Sequence, residues 1–252
     1  MAWFDFLDPV LMPVLNLGPF WAILILGITI SLLITLVYKY VTDQKKMKVM
    51  KDQQKDFQKK MKGLRDNPAE MMKVQKEAMK VNMEYMKNSF KPTLITMLPI
   101  LLIFGWMAAH LSYEPIYPGE TYSVSAEFLE GIKGEAELFA SVGTELISPG
   151  KQVIEDSQAT WKLKSSAGEH TLTIKTGDEE RTKKVLITTE LKYEEQFTAY
   201  EHSDVKQITI NYNKLKPLGT FKIFGWQPGW LGLYIIFSLI FSMGLRKLLK
   251  IY

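Results

Sequence analysis

Seven serine and threonine side chains stand out within the apolar stretches of this sequence. Thr29, Ser31 and Thr35 lie in the first, Thr93 and Thr96 in the second, and Ser238 and Ser242 in the third. A hydroxyl becomes a nucleophile only beside a base. None of the three stretches holds an Asp, Glu, Lys or Arg that could serve. Their chemistry is therefore hydrogen bonding in a poorly hydrated setting. One plain use is close helix packing, with Gly27/Ser31 and Ser238/Ser242 as small-xxx-small pairs. The other is a mildly polar path for something that must cross.

The remaining reactive side chains do not assemble a catalytic set. His110, His170 and His202 are far apart in sequence, and none has metal-ligand spacing to a second His or Cys. There is no cysteine, no Gly-x-Ser-x-Gly and no phosphate-cradling glycine loop. A proton relay or ion pump would place ionisable groups at membrane depth, and the stretches contain none. The sequence predicts a protein that is not an enzyme, with no catalytic residue, cofactor or metal.

The second chemical feature is soft and apolar. Eight of the 13 methionines fall between Lys39 and Lys91. Met72, Met79, Met83, Met86 and Phe90 repeat at helical spacing, beside a second stripe of Met71, Val74, Ala78, Val81 and Tyr85. Packing is the plainer account of any such stripe. Flexible thioethers also suit a surface that accepts many hydrophobic clients.

The elements that must position these residues follow from charge and hydropathy. Pro9–Tyr38, Pro92–Tyr113 and Ile223–Leu245 are uncharged runs of 30, 22 and 23 residues. About 20 apolar residues suffice to cross ~30 Å of hydrocarbon as a helix. Three transmembrane helices are expected, at 17–38, 92–113 and 223–245. The absence of an early Lys or Arg and of a small-residue cleavage site predicts a retained anchor at the first of them rather than a signal peptide.

Lys39–Lys91 carries 15 Lys/Arg against 7 Asp/Glu, and the tail 246–252 is basic through Arg246, Lys247 and Lys250. Residues 1–16 contribute Asp5 and Asp8, and Tyr113–Lys222 carries 13 Lys/Arg against 18 Asp/Glu. Basic loops stay on the side of synthesis. The hairpin 39–91 and the tail are thus expected in the cytoplasm of a multi-pass cell-membrane protein. The N-terminus and the segment 114–222 are expected outside. Trp3, Phe4, Phe6 and Leu7 mark 1–16 as an amphipathic piece at the outer interface.

Within the hairpin, Met47, Met50, Phe57, Met61 and Leu64, with Gln54 in the gap, form the seam of an antiparallel coiled coil. Asp66-Asn67-Pro68 turns the chain, with Asn67 as cap and Glu70 as its capping-box partner. A two-helix seam buries one stripe of the second helix and leaves the other over. The second span is expected to start at Pro92, and Pro99 to kink it or wet it. Six alternating runs, Tyr122–Phe128, Ala136–Val142, Thr160–Lys164, His170–Thr176, Lys184–Thr188 and Gln207–Tyr212, predict an antiparallel β-sandwich of six or seven strands in 114–222. Trp161, with Leu172 and Ile174, gives it an immunoglobulin-like reading. The fold class is thus membrane α-helical, with a coiled-coil hairpin and an extracytoplasmic all-β domain.

In this order of elements, Lys39-Tyr-Val-Thr-Asp43-Gln44, Asp66-Asn67-Pro68 and Ser89-Phe90-Lys91-Pro92 through Pro99-Ile100 carry a resemblance. The chain resembles the archaeal YidC-like proteins, in the superfamily of bacterial YidC, Alb3 and the insertase subunit of the ER membrane complex. The resemblance covers the spans and the hairpin, somewhat over half the chain. It implies an insertase that takes hydrophobic segments of nascent proteins from the cytoplasm through a three-helix groove. The coiled coil would be the mobile receiving element. Many bacterial members have an arginine in the groove, and the spans here have none. Smaller archaeal members have a short connection where this chain carries about 110 residues, so the resemblance supplies no role for the β-domain.

The seven hydroxyls all fall in the cytoplasmic halves of their expected spans, and with that resemblance they become the expected substrate groove. Met72, Met79, Met83, Met86 and Phe90 become the expected client-capture face. Nascent hydrophobic segments are the expected partners. The basic hairpin would meet either ribosomal RNA phosphates or anionic lipid. A second membrane subunit completing the groove is also an open partner. The competing reading is a non-enzymatic scaffold or sensor whose outer β-domain binds a ligand or partner. Sensors, however, place the outer domain between the first two spans, the reverse of this order.

Overall fold

Residues 4–64, 66–249 and 251 are described by a computed structural model of the chain. Trp3 of the interfacial segment and Lys250 of the basic tail lie outside them. Two units separate, one made of 6–106 with 231–252 and the other mainly of 107–230.

The helical unit begins with a 3-10 turn at Asp5–Leu7, followed by α1 (Asp8–Leu15) and α2 (Pro19–Val41). Gly18 joins the two helices at φ +97°, a conformation that costs a side-chain-bearing residue and not glycine. Pro19 then fixes the first turn of α2. α3 (Gln44–Gly63) starts on an Asp43 cap, whose carboxylate accepts from the Lys45 and Lys46 amides at 3.0 and 3.1 Å. That cap contributes about 1 kcal/mol. At the hairpin turn Asn67 Oδ1 accepts the Glu70 amide, and Asn67 Nδ2 donates to Glu70 Oε2 at 3.0 Å.

α4 runs unbroken from Pro68 to Leu111. No helix break falls at Pro92, where the second span is expected to start: the second hairpin helix and the second span are a single helix of 44 residues, about 66 Å long. Each of Pro92 and Pro99 removes one backbone donor without ending the helix. The Pro92 carbonyl accepts from the Thr96 hydroxyl at 3.0 Å, which helps hold the turn around it. α5 (Trp230–Leu248) closes the unit. Among the described residues, α2, α4 and α5 are the helices long and apolar enough to cross a membrane.

The second unit is a two-sheet antiparallel structure with nine strands. These are β1 (Thr121–Phe128), β2 (Glu135–Ala140), β3 (Thr144–Leu146), β4 (Lys151–Val153), β5 (Gln158–Ser165), β6 (Gly168–Thr176), β7 (Glu179–Ile187), β8 (Phe197–Ala199) and β9 (Val205–Ile210). One sheet has the order β3-β5-β1-β9-β8 and the other β4-β2-β6-β7. Strict alternation along β5 turns Ala159, Trp161, Leu163 and Ser165 inward. Register sets Val124 between Trp161 and Ile210, and pairs Leu138 with Ile174. These residues, with Leu172 and Val185, make one buried core shared by both sheets. The Trp161 indole, fully enclosed, donates to the Gly150 carbonyl at 2.7 Å.

Candidate functional site

The helical pair buries one of the two stripes of α4 and presents the other. Met47 and Met50 of α3 are buried with Tyr38, against Val81 and Tyr85. Gln54, the polar gap in the α3 seam, donates to Asn82 Oδ1 at 3.0 Å, and Lys46 pairs with Glu84 at 2.5 Å. Both ion-pair side chains are half exposed, so that pair adds at most about 1 kcal/mol. On the far side, Met72, Met79, Met83, Met86 and Phe90 are each at least 58 % exposed.

Because α4 does not break, that stripe continues into the span. Leu94, Met97 and Leu101 follow Phe90 at spacings of four, three and four, and all three are exposed. From Met72 to Leu101 the helix makes eight turns with a drift of only about 20°, at roughly 100° per residue. The result is an apolar track on a single helix face, unbroken over the ~33 Å from Met79 to Leu101, with Met72 on the same face beyond Gln75 and Lys76. Spacing within the hairpin found its first half. Its second half was hidden by reading the hairpin and the span as separate segments on either side of Pro92.

The seven hydroxyls fall into two groups. Ser31, Thr35 and Thr96 are buried. Thr29 and Thr93 are exposed, and Ser238 and Ser242 are half-buried. Thr29 lies about 200° around α2 from Ser31, so the two cannot share a face. Ser31 and Thr35, four apart, do share one. Most of the hydroxyls donate to their own helix: Thr29 to the Ile25 carbonyl at 2.9 Å, Thr35 to Ser31 at 2.6 Å, Thr93 to Ser89 at 3.3 Å. Ser238 donates to Ile235 and Ser242 to Leu239 in the same manner. Ser31 Oγ is buried without a hydrogen-bond partner among the described residues.

A polar cluster that spacing did not reveal links the three spans at their hairpin ends. The Tyr38 hydroxyl of α2 lies 3.3 Å from Ser89 Oγ of α4. The Arg246 guanidinium of α5 stands over the Tyr38 ring, 5.3 Å from its centroid. Thr42 donates to the Tyr38 carbonyl at 2.6 Å, and Gln44 donates to Thr42. Tyr38 and Ser89 are 51 residues apart in the chain, beyond any local signal.

The opposite halves of the spans pack through aromatic rings. Phe104 meets Tyr234 edge-on at 4.7 Å, and Phe20 meets Phe237 at 5.7 Å. Gly27 gives α5 room: a Cβ there would already touch Phe237 at 3.5 Å. The bundle is thus aromatic and tight at one end, and hydroxyl-bearing at the hairpin end.

The β-unit holds its titratable groups structurally. His170 is buried with Nε2 2.8 Å from the Ser166 carbonyl. Lys183 points inward from β7 and donates to Thr198 Oγ1 at 2.9 Å. Burial lowers its pKa, against the opposing pull of Glu195 and Glu194. Among the described residues no three His, Asp or Glu side chains stand together as a metal set.

No curated protein and no solved structure matches the chain. A family match does exist, and it covers α1 to α4 and most of β1 while leaving the remaining strands and α5 outside. Over residues 5–127 the chain is similar to the family described as integral membrane protein EMC3/TMCO1-like.

Proposed function

We propose that this protein is a membrane-protein insertase that receives hydrophobic segments of nascent proteins on α4 and passes them into the bilayer beside α2 and α5. The observation that carries the reading is the exposed apolar track that runs without a polar interruption from Met79 to Leu101, across the hairpin and into the span. A client captured outside the bilayer can stay on one apolar face until it reaches hydrocarbon, with no gap in which it must be rehydrated. The similarity of residues 5–127 to an integral membrane protein family and the resemblance to insertases support it.

The orientation follows from charge. The hairpin, with its excess of eight positive charges, faces the cytoplasm of the cell membrane, and the β-domain lies outside. The same charge draws the hairpin to phosphate-bearing partners, either ribosomal RNA or anionic lipid. A second membrane subunit would close the open side of the three-helix groove.

No covalent step is needed. A polar flank crossing hydrocarbon costs several kcal/mol for each unpaired polar group. The accessible hydroxyls of Thr93, Ser238 and Ser242 lower that barrier by offering acceptors along the hairpin-side half. The donors of Thr35 and Thr96 are committed to carbonyls. The unpaired Ser31 hydroxyl is enclosed and would donate to a client only where the helices part.

The test is photo-crosslinking in living cells from reporters at Met83 and Leu101. Capture of the same nascent membrane segments at both positions supports insertion. Capture at neither, with only envelope proteins caught from the β-domain, overturns it in favour of a scaffold.

A further inference from the structure

The segment just before α5 closes into a small finger. Ile223 and Trp226 exchange both backbone hydrogen bonds, at 2.8 and 2.9 Å, across the two-residue tip Phe224-Gly225. Both tip residues have positive φ, +49° and +82°. This is the turn that favours Asn-Gly or Gly-Gly, because a side chain at the first position clashes with its own backbone. The sequence places phenylalanine there, and the ring is fully exposed. Phe221 and Trp226 beside it are also exposed. The Gln227 amide donates to the Gly219 carbonyl at 3.1 Å, tying the base of the finger.

A strained backbone that displays three unburied aromatic rings is unfavourable in water on both counts. Something apolar must take the rings. Three residues separate Trp226 from Trp230, the first residue of α5. At about 3.4 Å per residue Trp226 stands no more than ~14 Å, and Phe224 no more than ~20 Å, from the start of a span. The rings are thus within reach of the headgroup layer, where aromatic side chains are favoured. α5 also has a need for such an anchor. Its 19 residues reach about 28 Å, barely the hydrocarbon thickness, and it is the least enclosed of the three candidate spans. Packing within the bundle therefore does little to fix its height.

The geometry points to a lipid-dipping finger: Phe221, Phe224 and Trp226 insert into the bilayer leaflet on the β-domain side and set the depth of α5. The partner is a phospholipid surface. Arg246 and Lys247 hold the other end of α5 at the opposite headgroup layer.

The chain has no cysteine, so a single introduced thiol can be labelled uniquely. The full-length protein carrying Phe221→Cys with an environment-sensitive fluorophore is reconstituted in phosphatidylcholine vesicles containing shallow nitroxide lipids. Val142→Cys, at a fully exposed position after β2, serves as the water-facing control. Blue-shifted emission at 221 and nitroxide quenching several-fold above the control are expected, with Trp226→Cys agreeing. Adding Phe224→Gly should bring quenching at 221 back toward the control. Quenching equal to the control, or unchanged by Phe224→Gly, overturns the proposal. So does a blue shift without nitroxide quenching, because the rings would then sit against protein.

Discussion

The Trp106 indole of α4 donates to the Asp8 carboxylate at 2.7 Å, and the Trp106 side chain is completely enclosed. Two residues 98 positions apart thereby fasten the N-terminal helix α1 to the end of α4 remote from the hairpin. The bond is charge-assisted, and breaking it leaves a carboxylate in a site shaped for a donor. Trp106→Phe should lower the stability of the detergent-solubilised protein by about 1–3 kcal/mol. Asp8→Asn keeps an acceptor and should cost less. Thermal melts of the two variants check the order.

The exposed Met face separates stability from function. Met83→Asp and Met86→Asp place charges on a solvent-facing stripe and should change stability by no more than about 0.5 kcal/mol. They should nevertheless reduce crosslinking of nascent segments several-fold, because an apolar client must then bury against a charge. Met47→Asp is the opposite case. Met47 is buried against α4, so an unpaired charge there should unfold the helical pair. Circular dichroism and crosslinking on the same three variants give the comparison.

In the β-domain, Trp161→Ala should cost about 3–5 kcal/mol, since the ring is fully buried at the centre of the core. Trp161→Phe fills most of the space but leaves the Gly150 carbonyl without its indole donor, at a cost of about 1 kcal/mol from the bond. Near-ultraviolet dichroism of the full chain during heating reports both.

Alkaline unfolding has a named contributor. Burial raises the Tyr193 hydroxyl from 10.0 to about 12, while it accepts the Ser112 amide at 3.1 Å. A folded-state pKa above the unfolded value means that the folded state holds the proton longer. The stabilisation is complete below pH 10 and is lost as pH rises from 10 to about 12. Two units correspond to roughly 2–3 kcal/mol. Tyr212, also pushed upward by burial, acts in the same direction. Lys183 opposes them, because its lowered pKa makes the folded state gain stability as pH approaches 10.5. Tyr193→Phe should therefore flatten the loss of stability between pH 10 and 12, at the fixed cost of the Ser112 bond. Denaturant titrations across that range measure it.

Some of this was legible in the chain and some could not be. Absence of charge over a run of more than 20 residues puts α2 close to where hydropathy expects it, but α5 starts at Trp230, seven residues into the uncharged run, because Ile223–Trp226 close a turn instead. Long alternating strands announce themselves likewise, as β5 and β6 do. β3, β4 and β8 have three residues each, too few for alternation to register, and they exist because longer neighbours offer them edges. Pro92 misled for a different reason. Proline removes a single donor, and whether a helix ends there depends on what lies on both sides. The hydroxyls were one-sided along the sequence but not around the helices, since Thr29 and Ser31 point apart. Tyr38, Ser89 and Arg246 come together only through tertiary packing.

The continuity of α4 yields the sharpest prediction. If capture and delivery use one track, the angular phase between Met83 and Leu101 matters more than either residue alone. Inserting one alanine between Phe90 and Lys91 rotates the two halves by about 100° and splits the track. Inserting seven adds about 700°, within roughly 20° of two full turns, and restores the face while lengthening it by about 10 Å. Insertion of a reporter membrane protein should fall several-fold with one added residue and recover substantially with seven. Helical content should be equal in both, because alanine is the best helix former. If the one-residue variant inserts the reporter normally, the hairpin and span work as separate surfaces. Equal failure of both variants would instead mean that the spacing from α3 to the membrane, set partly through Tyr38 and Ser89, governs the process.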